Sequence, residues 1–394
     1  MDFKSNYPYV FVNGLTSYGP DSKLDEYSPF FGSREGKITE YLADRGLEVY
    51  EAPTGPFSSA WDRACELYAI LTGTTVDYGA AHSERFGHKR FGRTYTHPLF
   101  EGWGQKTADG KIKKVNLVGH SFGGTTIRLL ACLLDKGCDA EKAATNPSEI
   151  SPLFTGGKAK WIFSITTCAT PHNGMTFFDA FGAMGDLFKT LVFRGANAIA
   201  NTPLSMMYDF KLDQFDLTSD PYSKFKVQVD PAHADEVMNS KDNAFYDLSV
   251  KGAEEVNEHL YCVPDIYYFS YASKKTKKAA IGNNQVAIKG TYFPYKITCA
   301  YIGCYDIDLN RGIKLDSKWF ENDGMVNTYS AVAPFNEPAT DFNMVTSVRP
   351  GIWNKMGIMD MIHSDFCGHH IKLEKIGDFY LKNAEGINNI EDKD

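Results

Sequence analysis

Two hydrophobic patterns alternate along this chain. Short apolar runs, YPYVFV at 7–12, LEVYEA at 47–52, KVNLV at 114–118 and KWIFSITTC at 160–168, have the length and the β-branched and aromatic content of buried strands. Between them lie stretches whose apolar positions recur at three and four residues: GKITEYLADR at 36–45, SAWDRACELYAIL at 59–71 and TTIRLLACLL at 125–134. These predict helices, the last stopped by Gly137 after Lys136. Strands alternating with helices predict an α/β fold on a mostly parallel sheet. No internal repeat or low-complexity tract interrupts the pattern, and the polar tail from Asn383, NAEGINNIEDKD, is expected to fray. Residues 74–110 differ from their surroundings, being polar, aromatic and glycine-rich, with His82, His88 and His97.

Ser121 falls at one strand-to-helix junction, in GHSFGG, with Gly119 before it and Gly123-Gly124 after it. A serine in that context is the G-x-S-x-G nucleophile elbow. A turn this sharp strains the nucleophile's backbone, and a Cβ at the flanking positions would crowd the strand and helix. The helix that follows turns its positive end toward a developing oxyanion. A lone five-residue pattern also occurs as an ordinary glycine-rich turn; the strand before it and the helix after it favour the nucleophile.

A nucleophilic serine needs a base, and the base needs a group to orient it, in the chain order Ser, acid, His for this fold class. The acid is expected at a strand end followed by a turn, and Asp323-Gly324 in WFENDGMVN meets that description. The base is expected on a later loop, where MGIMDMIHSDF offers His363. The oxyanion would take two backbone N–H groups, that of Phe122 and that of Leu15 in the loop Asn13-Gly14-Leu15 after the first strand. Residues 176–207 carry Phe177, Phe181, Met184, Phe188 and Leu191 on one helical face and more apolar surface than one helix usually buries. Either this is a core helix or it is a lid over an acyl-binding cleft.

Composition narrows the field. The 394 residues suffice for one large domain or two, and 43% hydrophobic with 14% aromatic content marks a globular chain. The net charge of -8 and the lack of any Lys/Arg-rich run argue against a nucleic-acid partner. No apolar run is long enough to span a bilayer, and the start MDFKSNYPYV has no apolar signal region. Cysteines at 65, 132, 138, 168, 262, 299, 304 and 367 form neither a C-x-x-C motif nor a dense framework, so they are expected to be mostly reduced, with room for one or two disulfides.

Several longer motifs add a resemblance. SSAWDRACELYA at 58–69, TVDYGAAHSERFGHKRFGRTY at 75–95, ATPHNG at 169–174, YDFKLDQF at 208–215, YDLSVKGAEEVN at 246–257 and ENDGMVNT at 321–328 span nearly the whole chain. In these the chain resembles the thermoalkalophilic bacterial lipases, α/β-hydrolase enzymes with an inserted zinc-binding domain. The resemblance implies a single α/β-hydrolase domain over 1–394, with helices on both sheet faces. It implies a small zinc-binding subdomain at about 62–110 and 215–250, and a helical lid at about 176–207. It carries the triad to Ser121, Asp323 and His363. It carries a structural zinc to Asp62, His82, His88 and Asp242, a closed four-ligand shell with no place for a catalytic water. A family calcium site is only half met: Gly290 and Asp365 align with its first two ligands, but the Asp-Pro pair falls at about His370-Ile371. The chain also has Gly119 where the family usually has Ala, Phe122 where it has Gln, and Asn13-Gly14-Leu15 where it has His-Gly-Phe; Phe122 is expected to make the rim of the oxyanion hole apolar.

The expectation is therefore a secreted, monomeric triacylglycerol lipase that acts on ester or lipid substrate at an interface and extends to aliphatic polyesters if its apolar cleft is wide. A short-chain carboxylesterase, a zinc-dependent hydrolase and a non-catalytic α/β-hydrolase binding protein are the alternatives.

Overall fold

The computed structural model describes residues 4–221, 225–309, 314–342 and 348–392. Seven strands form one sheet: β1 (Tyr9–Val12), β2 (Val49–Ala52), β3 (Val115–His120), β4 (Ile162–Cys168), β5 (Tyr267–Ser273), β6 (Ala339–Asp341) and β7 (Trp353–Met359). Their order is β6-β7-β5-β4-β3-β1-β2, and every pairing is parallel. Each strand alternates its side chains between two faces. On β1, Val10 and Val12 enter one apolar cluster, whereas Tyr9 and Phe11 enter another across the sheet.

Helices cover both clusters. On the first face α2 (Ala60–Thr72) packs against α3 (Phe122–Lys136), with Leu67 and Leu71 facing the core alongside Ile127, Leu130 and Leu134. Ser59 caps α2 by accepting the Asp62 N–H at 3.2 Å, and Gly73 closes it in the left-handed region at φ 66°. On the second face α1 (Ile38–Ala43) packs against α5 (Leu373–Asn388).

Three expectations change. Helix α3 begins at Phe122 rather than Thr125, because Gly123 and Gly124, poor helix formers in isolation, are held helical by packing. The tail does not fray from Asn383. Ile376, Tyr380, Ala384 and Ile387 form a buried stripe of α5 that continues in phase through the polar stretch. Tyr9 donates its hydroxyl hydrogen bond to Asn388 Oδ1 at 2.8 Å, and the Lys4 and Ser5 N–H groups donate to the Asn388 carbonyl at 2.9 and 3.0 Å. Third, the apolar face expected across 177–191 is broken at Gly182, where φ is 50°. Phe177–Phe181 forms a separate short helix, and α4 (Ala183–Ile199) buries Val192, Phe193 and Ala196 while exposing Met184, Leu187 and Leu191.

None of the eight cysteines is paired in a disulfide. Among the described residues no helix is long and apolar enough to cross a membrane.

Ile376→Ala empties a fully buried position of the second core and is expected to lower unfolding stability by about 2–5 kcal/mol. Lys382→Ala on the outer face of α5 should change it by less than about 0.5 kcal/mol. Urea titration of both variants measures this; equal, negligible effects would show that the helix does not pack.

Candidate active site

The carboxyl ends of β1, β3, β5 and β7 meet at one edge of the sheet, the edge where parallel α/β sheets bind ligands. Ser121 leaves β3 with φ 55° and ψ −128°, a conformation that costs a non-glycine residue energy. Its N–H donates to the Cys168 carbonyl at 2.9 Å, and its carbonyl accepts the Gly124 N–H at 3.0 Å. The flanking glycines are sterically required. A Cβ on Gly119 would lie 2.5 Å from Gly124 N, and one on Gly123 would lie 2.2 Å from the Val12 carbonyl oxygen. Gly14, after β1, crosses directly over the serine: a Cβ there would sit 2.8 Å from Ser121 Cβ. The Ser17 hydroxyl holds this loop by donating to the Gly14 carbonyl at 2.6 Å. Phe122 is the first residue of α3, where helix N–H groups have no intrahelical acceptor.

His363 follows β7 on a short 3-10 turn, and its Nδ1 lies 2.9 Å from Asp323 Oδ2. Both side chains are buried. The Asp323 carboxylate also accepts from the Ser273 hydroxyl at 2.6 Å and from the Met325 and Val326 N–H groups at 3.0 and 2.8 Å. The His363 N–H donates to the Asp323 carbonyl at 3.1 Å, so acid and base are tied by backbone as well as side chain. His120, beside the serine, packs its ring 4.7 Å from that of His363 and sets Nε2 3.1 Å from the His363 carbonyl oxygen. Complete burial, with His363 beside it, holds His120 well below the usual histidine range, hence neutral.

Asp323 does not end a strand. It sits in a tight turn between Asn322 and Asn327, and β5 reaches it only through Ser273. The Phe122 ring does not line a rim either. It is fully buried beneath the turn, under the Arg63 guanidinium 5.1 Å from the ring centroid, because the first helical residue points back toward α2.

A second cluster lies behind the sheet edge. Asp62 on α2, His82 in the helix Ala80–Phe86, His88 just beyond it and Asp242 each offer one ligand atom, all within 4.8 Å of one another. His82 Nε2 lies 3.3 Å from both Asp62 Oδ1 and Asp242 Oδ1, and His88 Nε2 lies 3.1 Å from Asp242 Oδ2. A tetrahedral ion with bonds of about 2.0–2.1 Å sets its ligands about 3.3 Å apart. Among the described residues, Asp62 Oδ1, Asp242 Oδ2 and both Nε2 atoms are buried without a hydrogen-bond partner. Outer contacts orient the set: Gln214 Nε2 donates to Asp62 Oδ2 at 2.7 Å, and His88 Nδ1 meets the Lys89 carbonyl at 2.8 Å, leaving Nε2 free to ligate. Burial and the Asp242 charge push the Asp62 carboxyl up. At Asp242 burial acts the same way but is outweighed by His82 and His88, which hold that carboxyl below its usual range. Two buried carboxylates this close do not both stay charged without a cation between them, and the donor set fits a divalent metal.

The calcium candidates make no comparable set. Asp365 Oδ2 accepts the Ile362 N–H at 3.0 Å, Gly290 is exposed, and the His370 ring stacks on Tyr292 with centroids 4.4 Å apart. Of these candidates, among the described residues, a hard cation that asks for six or more oxygens finds one buried unpartnered carboxylate oxygen, Asp365 Oδ1.

Motif reasoning missed Ser273, His120, Arg63 and Gln214. His120 lies inside GHSFGG, and Arg63 and Gln214 lie inside the stretches SSAWDRACELYA and YDFKLDQF; Ser273 lies in none of the quoted motifs.

A parallel sheet with a strained serine at the end of one strand and a carboxylate–imidazole pair beyond later ones is the α/β-hydrolase architecture. The chain belongs to the family described as lipase-like, C-terminal domain, whose model matches residues 5–391. It is 35% identical over 371 residues to Lipase 1 of Staphylococcus aureus strain MRSA252, covering 93% of this chain and 51% of that protein. The chain thus spans about half the length of the curated relatives it matches. Among solved structures it is similar to EstA from Clostridium botulinum, with TM-score 0.81, 35% identity and coverage of 99% and 88% of the two chains. It is likewise similar to lipase 1 from Pelosinus fermentans, with TM-score 0.79, 36% identity and coverage of 98% and 99%.

Elemental analysis of the purified protein should find one divalent cation per chain, bound by the four-residue cluster. His88→Ala should lose it and melt several degrees lower, and a strong chelator should shift wild type toward the variant without shifting the variant. A metal-free wild type whose melting is indifferent to chelator would contradict the assignment.

Proposed function

We propose that the chain is a serine carboxylic-ester hydrolase of the triacylglycerol lipase type, acting through an acyl-enzyme on Ser121. One observation carries this reading: the buried Asp323–His363 pair, joined at 2.9 Å, lies at the sheet edge where Ser121 is held at φ 55° on the elbow. His363 takes the proton from Ser121 as the oxygen attacks the ester carbonyl. Asp323 fixes the tautomer that leaves Nε2 as the base and stabilises the imidazolium that forms. The N–H groups of Leu15 and Phe122 receive the oxyanion, helped by the positive end of α3. The proton passes to the departing alcohol, and water, activated by the same base, releases the acid.

Zinc is the cation proposed for Asp62, His82, His88 and Asp242, since two imidazoles and two carboxylates suit its tetrahedral shell. With all four positions taken by protein its contribution is structural: it joins α2 to the 80–88 segment and to the 242 loop. The segment 176–207 is proposed as a lid. Met184, Leu187 and Leu191 are more than half exposed on α4, an apolar face suited to a lipid surface.

Hydrolysis of a p-nitrophenyl ester series from short to long acyl chains, by wild type and by Ser121→Ala, tests the reading. Wild type should act on long chains, and Ser121→Ala should lose on the order of 10⁴–10⁶ in kcat. Activity confined to short chains would move the assignment to a carboxylesterase. Full activity in Ser121→Ala would overturn the mechanism.

A further inference from the structure

Arg63 is fully buried, beneath the site and not in it. A buried guanidinium is costly unless its N–H groups are used. Here they are used on the backbone around the catalytic turn. Nη2 donates to the Asn13 carbonyl and Nη1 to the Gly55 carbonyl. Nε donates to Thr126 Oγ1 at 2.8 Å, and Thr126 in turn donates to the Phe122 carbonyl at 3.2 Å. The guanidinium also covers the Phe122 ring. One side chain therefore grips two separate segments: the Asn13-Gly14-Leu15 loop and the first turn of α3. These are the segments whose N–H groups are assigned to the oxyanion.

Neither segment fixes itself. The loop contains Thr16 at φ 57°, and Ser121 stands at φ 55°; both are conformations that persist only when surrounding contacts hold them. The Asn13 side chain cannot supply that hold at the serine. Its Oδ1 is engaged by the Thr54 N–H at 3.2 Å, the Thr54 hydroxyl at 3.0 Å and Arg63 Nη2 itself at 3.4 Å. Burial lowers the Arg63 guanidinium only to about 10, which leaves it charged at neutral pH and keeps all its donors.

We infer that Arg63 is a positioning residue for the oxyanion hole: it sets the separation of the Leu15 and Phe122 N–H groups by holding the Asn13 carbonyl with one nitrogen and Thr126 with another. This rests on the hydrolase reading proposed above. A lysine cannot reproduce it, because a single ammonium lacks the planar fork that spans two carbonyls and a hydroxyl. The hole matters only as charge develops on the ester oxygen, so its distortion should appear in kcat and leave KM nearly unchanged.

The test compares p-nitrophenyl butyrate with its thionoester, in which sulfur replaces the carbonyl oxygen. Sulfur is a poor hydrogen-bond acceptor and profits little from the two N–H groups, so the oxoester-to-thionoester rate ratio reports the hole. A lower folded fraction reduces both rates equally and leaves the ratio unmoved. Arg63→Lys is expected to lower kcat for the oxoester roughly tenfold to a hundredfold, short of the ~10²–10³ lost when a donor is deleted outright. KM should stay within about twofold, and the rate ratio should fall with kcat. An unchanged ratio, whether or not kcat falls, would overturn the inference. Should Arg63→Lys fail to fold, Thr126→Val decides: it keeps the arginine, removes its link to Phe122, and must lower the same ratio by a smaller factor. An unchanged ratio there is equally fatal. Ser121→Ala keeps the two questions apart, because a hydrolysis that survives it refutes the hydrolase reading itself.

Discussion

Everything at the sheet edge depends on three stretches of backbone approaching one another more closely than side chains permit. Gly14 passes over Ser121, Gly123 lies against the Val12 carbonyl, and Gly119 lies against Gly124. A methyl group at any of them would meet atoms at 2.2–2.8 Å. This crowding holds Ser121 in a left-handed conformation that its own preferences oppose. The same crowding sets the loop after β1 beside the start of α3. The folding free energy of the two large apolar clusters sustains that local strain, and the buried polar contacts around it determine its direction.

How much was legible in the sequence follows from how local each feature is. The elbow was legible because strand, glycines and helix are contiguous. The strands and helices around it were legible for the same reason, with their ends shifted by a few residues. The proposed acid and base were picked out by chain order and turn chemistry, but their surroundings were not. Asp323 was expected after a strand, and it instead hangs from β5 by a hydrogen bond to Ser273, fifty positions away in the chain. The C-terminal helix was misread because its polar outer face dominates the composition of the last residues, while the apolar stripe of Ile376, Tyr380, Ala384 and Ile387 keeps its period through them. Phe122 was taken for a rim residue because its side-chain direction depends on how α3 enters the core, which the five-residue motif does not encode.

The candidate metal cluster lies at the opposite extreme. Asp62, His82, His88 and Asp242 share no recognisable ligand spacing, and only the resemblance of long motifs singled them out. In three dimensions the fold gathers two imidazoles and two carboxylates, each with one buried atom that has no hydrogen-bond partner among the described residues. Asp62 and Arg63 are neighbours on α2, yet one faces His82 and the other the start of α3 after Ser121. A single helical turn thus anchors two buried charge arrangements, both relying on partners from distant parts of the chain.

The most direct measurement of the central claim is to trap the covalent intermediate. The protein is mixed rapidly with an activated ester, quenched in acid within the first turnover, and its intact mass and peptide map are recorded. One acyl group per chain is expected, located on the peptide containing Ser121 and absent when His363 is replaced by alanine. An acyl group on another residue, or steady hydrolysis with no acylated protein under conditions that slow deacylation, would contradict it.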